Sequence, residues 1–147
     1  MITLTAAAVK AIIDELKATG NFLDALTLHL YKSPGAPTRQ TVLGDLTEAD
    51  FTGYAAVALG AWGADWTDPA GNWHVTAPSI QFTATGSAVS NDIYGYYVTA
   101  TVGGNPVLRY VEAFDQGPFG IARAGDALIV VPDFSLYDLA TALVQGP

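Results

Sequence analysis

Cysteine is absent from this 147-residue chain. That excludes disulfides and cysteine-held zinc or iron–sulfur groups, so a core of ordinary side chains must hold the fold. Cations are nearly as scarce. Lys10, Lys17, Lys32, Arg39, Arg109 and Arg123 face 14 acidic residues, for a formal charge of −8. Neighbouring basic residues are at least seven positions apart. A nucleic-acid backbone is bound by clustered cations that release its counterions, so no nucleic-acid partner is expected. The same charge opposes anionic lipid surfaces. Long apolar runs are missing too. The uncharged stretch 51–64 is shorter than the roughly 18–20 residues that span a bilayer. Lys10, Asp14 and Glu15 interrupt the N-terminus before the apolar core of a signal peptide can form. No membrane partner is expected.

Charge of either sign is low. Only 14% of residues are Asp, Glu, Lys or Arg, while half are hydrophobic. Ordinary soluble domains carry about 25% charged residues. So little charge leaves apolar surface that is hidden most simply against another subunit. The composition points to an assembly protein.

The length suits one domain over 1–147. A helix is expected first, within 1–21. Thr5 is its N-cap, Val9, Ile12, Ile13 and Leu16 form one apolar stripe, and Gly20 and Asn21 end it. From Leu26 the period changes to 2: Leu26, Leu28 and Leu30 alternate with Thr27, His29 and Tyr31, as in a half-buried strand. Residues 33–38 read as a loop, and Thr47–Asp50 as one helical turn. Further strands are expected at Tyr54–Trp62 (buried), Trp73–Val75, Ile80–Thr85, Ile93–Val102, Val107–Phe114 and Ala127–Val131. Turns fall at 68–72, 86–91, 103–105 and 116–120. The tail, 133–147, reads as an arm or short helix. The fold class is mainly β: an antiparallel, jelly-roll-like sandwich over 22–132, with one N-terminal amphipathic helix.

Motifs of chemistry are few. His29 and His74 belong to no paired-histidine pattern and read as strand residues with satisfied hydrogen bonds. No G-x-S-x-G elbow and no phosphate loop occurs. Asp45, Glu48 and Asp50, or Asp65 and Asp68 around Trp66, are carboxylate pairs of the kind a glycosidase uses, but 14 acids produce such pairs by chance. Asp68 and Asn72 read as turn-bracing side chains rather than calcium ligands. No enzyme activity, metal or cofactor is expected. Tyr94, Tyr96 and Tyr97 place rings on both faces of one strand, one for the core and one for a neighbouring subunit.

Two segments carry a resemblance. Leu28-His29-Leu30-Tyr31-Lys32 leads through a Pro-rich loop to Leu43-Gly44-Asp45-Leu46-Thr47-Glu48-Ala49-Asp50-Phe51-Thr52-Gly53-Tyr54, and Ile93-Tyr94-Gly95-Tyr96-Tyr97 follows later. Together they cover about a fifth of the chain and resemble small structural proteins of tailed bacteriophages that decorate or cement the head. The resemblance implies a non-enzymatic virion component on the outer capsid surface, a homotrimer whose partners are its own copies and the major capsid protein. Val9, Ile12, Ile13, Leu16, Pro34, Pro37, Trp62, Trp66 and Tyr96 are the expected interface residues. The alternative is a carbohydrate- or receptor-binding module of a tail or head fibre, with exposed tryptophans as its platform.

Overall fold

The computed structural model describes residues 5–135. In chain order they form helix α1 (Ala6–Lys17) and strands β1 (Leu26–Tyr31), β2 (Val57–Ala58), β3 (Trp66–Thr67), β4 (Trp73–Thr76), β5 (Ile80–Thr83), β6 (Asn91–Ile93), β7 (Gly95–Val102), β8 (Asn105–Ala113), β9 (Phe119–Ile121), β10 (Ala127–Val130) and β11 (Asp133–Ser135). A 3-10 turn covers Leu43–Asp45. The mainly β, antiparallel architecture with one N-terminal helix is as expected, and no described sheet closes into a barrel.

The chain divides into two compact units, a division the one-domain reading did not contain. One comprises Ala25–Leu59 with Ile80–Val130, and the other Met1–Asp24, Gly60–Ser79 and Val131–Pro147. The larger unit is built on a four-stranded sheet of order β2-β1-β7-β8. Leu26, Leu28 and Leu30 are buried on one face of β1, opposite Ala100, Val98 and Tyr96 of β7. β7 turns into β8 through Gly103 and Gly104, both at positive φ (58° and 82°). A two-residue hairpin that matches strand twist demands that geometry, and only glycine adopts it twice without strain. A β-bulge then shifts register between Val98 and Thr99, leaving Arg109 as the extra residue of β8. Two ribbons, β10-β5 and β6-β9, complete the unit.

The stretch expected as one strand, Ile93–Val102, changes partner midway. β6 pairs with β9 and β7 with β1. The switch is at Tyr94, whose N–H donates to the Tyr31 carbonyl (3.0 Å) and whose carbonyl accepts from Phe114 (2.9 Å). Gly95 makes it possible: a Cβ there would lie 2.1 Å from the Glu112 carbonyl and 2.7 Å from the Tyr31 ring.

Three local expectations are corrected. Thr47–Asp50 forms no helical turn, because its backbone bonds to the end of β1 that β2 leaves unpaired: Lys32 N–H donates to the Thr47 carbonyl and Ala49 N–H to the Leu30 carbonyl. Tyr54–Trp62 is no buried strand. Only Val57–Ala58 pairs, at the sheet edge, because alanine and glycine bring too little apolar area to hold an interior position. The loop expected at 116–120 contains the start of β9.

In the smaller unit, α1 packs on β4, the centre of a sheet of order β11-β4-β3. The Thr5 hydroxyl accepts from Ala8 N–H (3.2 Å), so the expected N-cap is in place. Ile13 is fully buried. Lys10 and Lys17 both reach Asp65, whose side chain is only 7% exposed. The two ammonium groups hold its carboxyl below the usual range, the Lys17 bond being the larger cause. Of the expected arm, residues 133–135 form β11, and the remainder lies outside the described residues.

Candidate functional site

Each acidic residue singled out above has a separate structural task. Asp45 accepts from Val42 N–H (2.9 Å), Asp50 pairs with Lys32 (2.7 Å), and Asp65 holds the helix lysines. The remaining candidates form two clusters, one in each unit.

The first surrounds β1 and β7. His29 Nδ1 lies 2.8 Å from Glu48 Oε1, and His29 Nε2 lies 3.0 Å from Thr99 Oγ1. The imidazole stacks on Tyr97 at 4.6 Å and 5°. Tyr54 donates its hydroxyl proton to Glu48 (2.9 Å) and accepts from Leu30 N–H (3.1 Å). Thr99, His29 and Glu48 thus reproduce the order hydroxyl–imidazole–carboxylate of a nucleophile relay. Thr99, however, is 5% exposed in the middle of the sheet, so its hydroxyl has no access to a substrate. The cluster acts as a brace between β1, β7 and the segment that carries Glu48 and Tyr54. Burial raises the Tyr54 hydroxyl pKa far above its ordinary value, and burial with the nearby Glu48 pushes Tyr97 up to about 12.

This brace also explains the motif behind the resemblance. Glu48 ties β1 to Tyr54, Ala49 bonds the β1 edge, and buried Phe51 receives an acceptor from Asn91, whose Oδ1 takes the N–H groups of both Asp50 (2.7 Å) and Phe51 (2.9 Å). Gly53, at φ 96°, has Thr85 where a Cβ would stand. Each of these residues holds a chain segment against the sheet.

The second cluster lies on the sheet of the smaller unit. Trp66 of β3 is the cross-strand partner of His74 of β4, and the rings stack at 4.3 Å and 15°. His74 Nδ1 lies 3.0 Å from Asp133 Oδ2, and Nε2 lies 3.4 Å from Asp68 Oδ2. Asp68 in turn accepts from the Asn72 side chain (2.8 Å) and backbone N–H (2.9 Å), bracing the turn as expected. Those bonds, Asn72 first, bring its carboxyl down to about 2. Among the described residues no group of three or more carboxylate or imidazole side chains is arranged to hold a metal ion.

The expected interface residues scatter. Trp66 is exposed (42%). Pro34 is exposed, and Pro37 is half-buried at the rim of a 790 Å³ groove that Thr38, Arg39, Val107 and Arg109 also line. Trp62 is half-buried and donates its Nε1–H to the Leu23 carbonyl (2.8 Å). Val9, Ile12 and Leu16 are half-buried. Two placements overturn the expectation. Ile13 is interior to its own unit, and Tyr96 is 3% exposed, its hydroxyl donating to Glu112 and its ring packed against Tyr110 and Phe114. β7 is a central strand covered on both faces, so Tyr96 and Tyr97 are both core. The period-2 pattern separated the faces correctly but carries no information on whether the second face is covered.

Compared with family models, with curated proteins and with solved structures, the chain finds no match. Among the described residues, the exposed large apolar side chains that the pattern did not single out include Ile129 (62%), Val42, Val131 and Val102. Ile129 lies on a short two-stranded ribbon, where one face of each strand has nothing above it. A ribbon of that kind has no sequence signature distinct from a sheet.

Proposed function

We propose that this chain is a non-enzymatic structural protein of a tailed-bacteriophage virion, a decoration protein that seats on the outer capsid surface as a homotrimer and stiffens the head. The observation that carries the reading is the exposure of large apolar side chains, Ile129 above all, on a chain with so few charges. Burying such side chains is worth about 25 cal/mol per Å², and a second protein surface is the ready means of doing so. The motif centred on Glu48 and Tyr54 supports the same class. The jelly-roll-like sandwich implied by the resemblance is part of this proposal, as are the major capsid protein and further copies of the chain as partners.

The test is co-sedimentation of the purified protein with undecorated heads of the phage that encodes it. Saturable binding, with heads then surviving heating or low salt that ruptures undecorated ones, is the expected result. Protein that stays in the supernatant at every concentration overturns the reading.

A further inference from the structure

Beyond a scaffolding role, and independently of it, we propose that the Trp66 cluster is a binding site for the pyranose ring of a glycan. Exposure alone would not distinguish Trp66, since single apolar residues are common on surfaces. What distinguishes it is the way it is held. The indole is paired across the ladder with His74 and lies flat on that ring, with interplanar angle 15°. The imidazole has Asp133 at one nitrogen and Asp68 at the other. Asp68 is itself fixed by Asn72. A chain of side-chain bonds thus immobilises an aromatic plate that remains 42% exposed. Preorganisation of this kind removes the ordering cost of binding.

The chemistry of the rim selects the ligand. The π face of an indole attracts polarised C–H groups, and one face of a pyranose presents a row of them. The Asp68 and Asp133 side chains are 24% and 39% exposed, so both carboxylates border solvent and can accept bonds from sugar hydroxyls. Asp68 already accepts from the Asn72 side chain and backbone and from the Ala70 backbone, with His74 beside it, so Asp133 is the carboxylate more open to a sugar hydroxyl.

The experiment is a titration of the full chain, labelled with nitrogen-15, with maltose, cellobiose, lactose and diacetylchitobiose at millimolar concentrations. The indole N–H signals of Trp62, Trp66 and Trp73 are followed separately. The expected result is a saturable shift of the Trp66 signal with at least one of these sugars and none at Trp62, whose N–H is bonded to Leu23. Trp66→Ala should weaken binding about tenfold or more, equivalent to ~1.4 kcal/mol. Asp133→Asn, which keeps the shape of the side chain, should weaken it less. The proposal is overturned if no sugar moves the Trp66 signal, or if sugar binding survives Trp66→Ala unchanged. It is also overturned if tetramethylammonium moves that signal more than any sugar, or if the signal moves only with protein concentration, as it would under a second copy of the chain.

Discussion

At the scale of single residues, hydroxyls and carboxylates hold segments where no backbone ladder does. Tyr54 is the clearest case, bonding the free Leu30 N–H of β1 at one side and Glu48 at the other. Tyr54→Phe keeps the ring but leaves the part-buried Leu30 N–H without its acceptor, and should cost about 1–3 kcal/mol, read as a lower denaturant midpoint at unchanged slope. Ionisation gives a second test. Tyr97 is raised from 10.0 to about 12, so folding favours its neutral form. That contribution is complete below pH 10, where folded and unfolded chains both hold the proton, and is lost as pH rises through about 12. Stability should therefore fall across that window, and less steeply in Tyr97→Phe. Asp68 has the opposite sign. Its folded value, about 2, lies below 3.8, so its contribution is present above pH 3.8 and lost as pH falls through about 2. Asp68→Asn should flatten the acid limb of the stability profile.

At the scale of elements, partner choice follows from small residues in tight places. Gly95 lets β6 and β7 divide one continuous stretch between two sheets. Gly95→Ala would drive a methyl group into the Glu112 carbonyl and the Tyr31 ring, and should destabilise by about 3 kcal/mol or more, or prevent folding in a melting experiment. Most strands were legible in the sequence because alternation is a local signal: β1 with its three leucines, the tyrosine strand β7 and its glycine hairpin all fall where the pattern puts them. The helix was legible for the same reason, from Thr5 to its stripe. The switch at Tyr94 and the extended course of Thr47–Asp50 were not, since both depend on backbone groups of β1 and Asn91 far away in the chain.

At the scale of the whole molecule, a charge of −8 with only six cations sets copies of the chain repelling one another. In the proposed assembly, burial of exposed side chains such as Ile129 and Val131 would oppose that repulsion. Added salt screens the charge over about 10 Å at 0.1 M and leaves apolar attraction intact, so light scattering after size exclusion should show the larger assembly favoured by salt. Ile129→Glu should shift the same measurement toward the monomer while leaving the melting temperature nearly unchanged, because the side chain is already in water.

Composition and periodicity by themselves determined the class of this protein: cysteine-free, acidic, poor in charge and mainly β after one capped helix. Those properties reside in each residue and its near neighbours. Tertiary structure alone decided which apolar faces are covered. It put Tyr96 and Ile13 inside, left Ile129 and Trp66 outside, and brought His74 between Asp68 and Asp133, 59 residues from the latter. The physical reason is that coverage is a property of pairs of segments, and no local pattern states which distant segment lies above a given face.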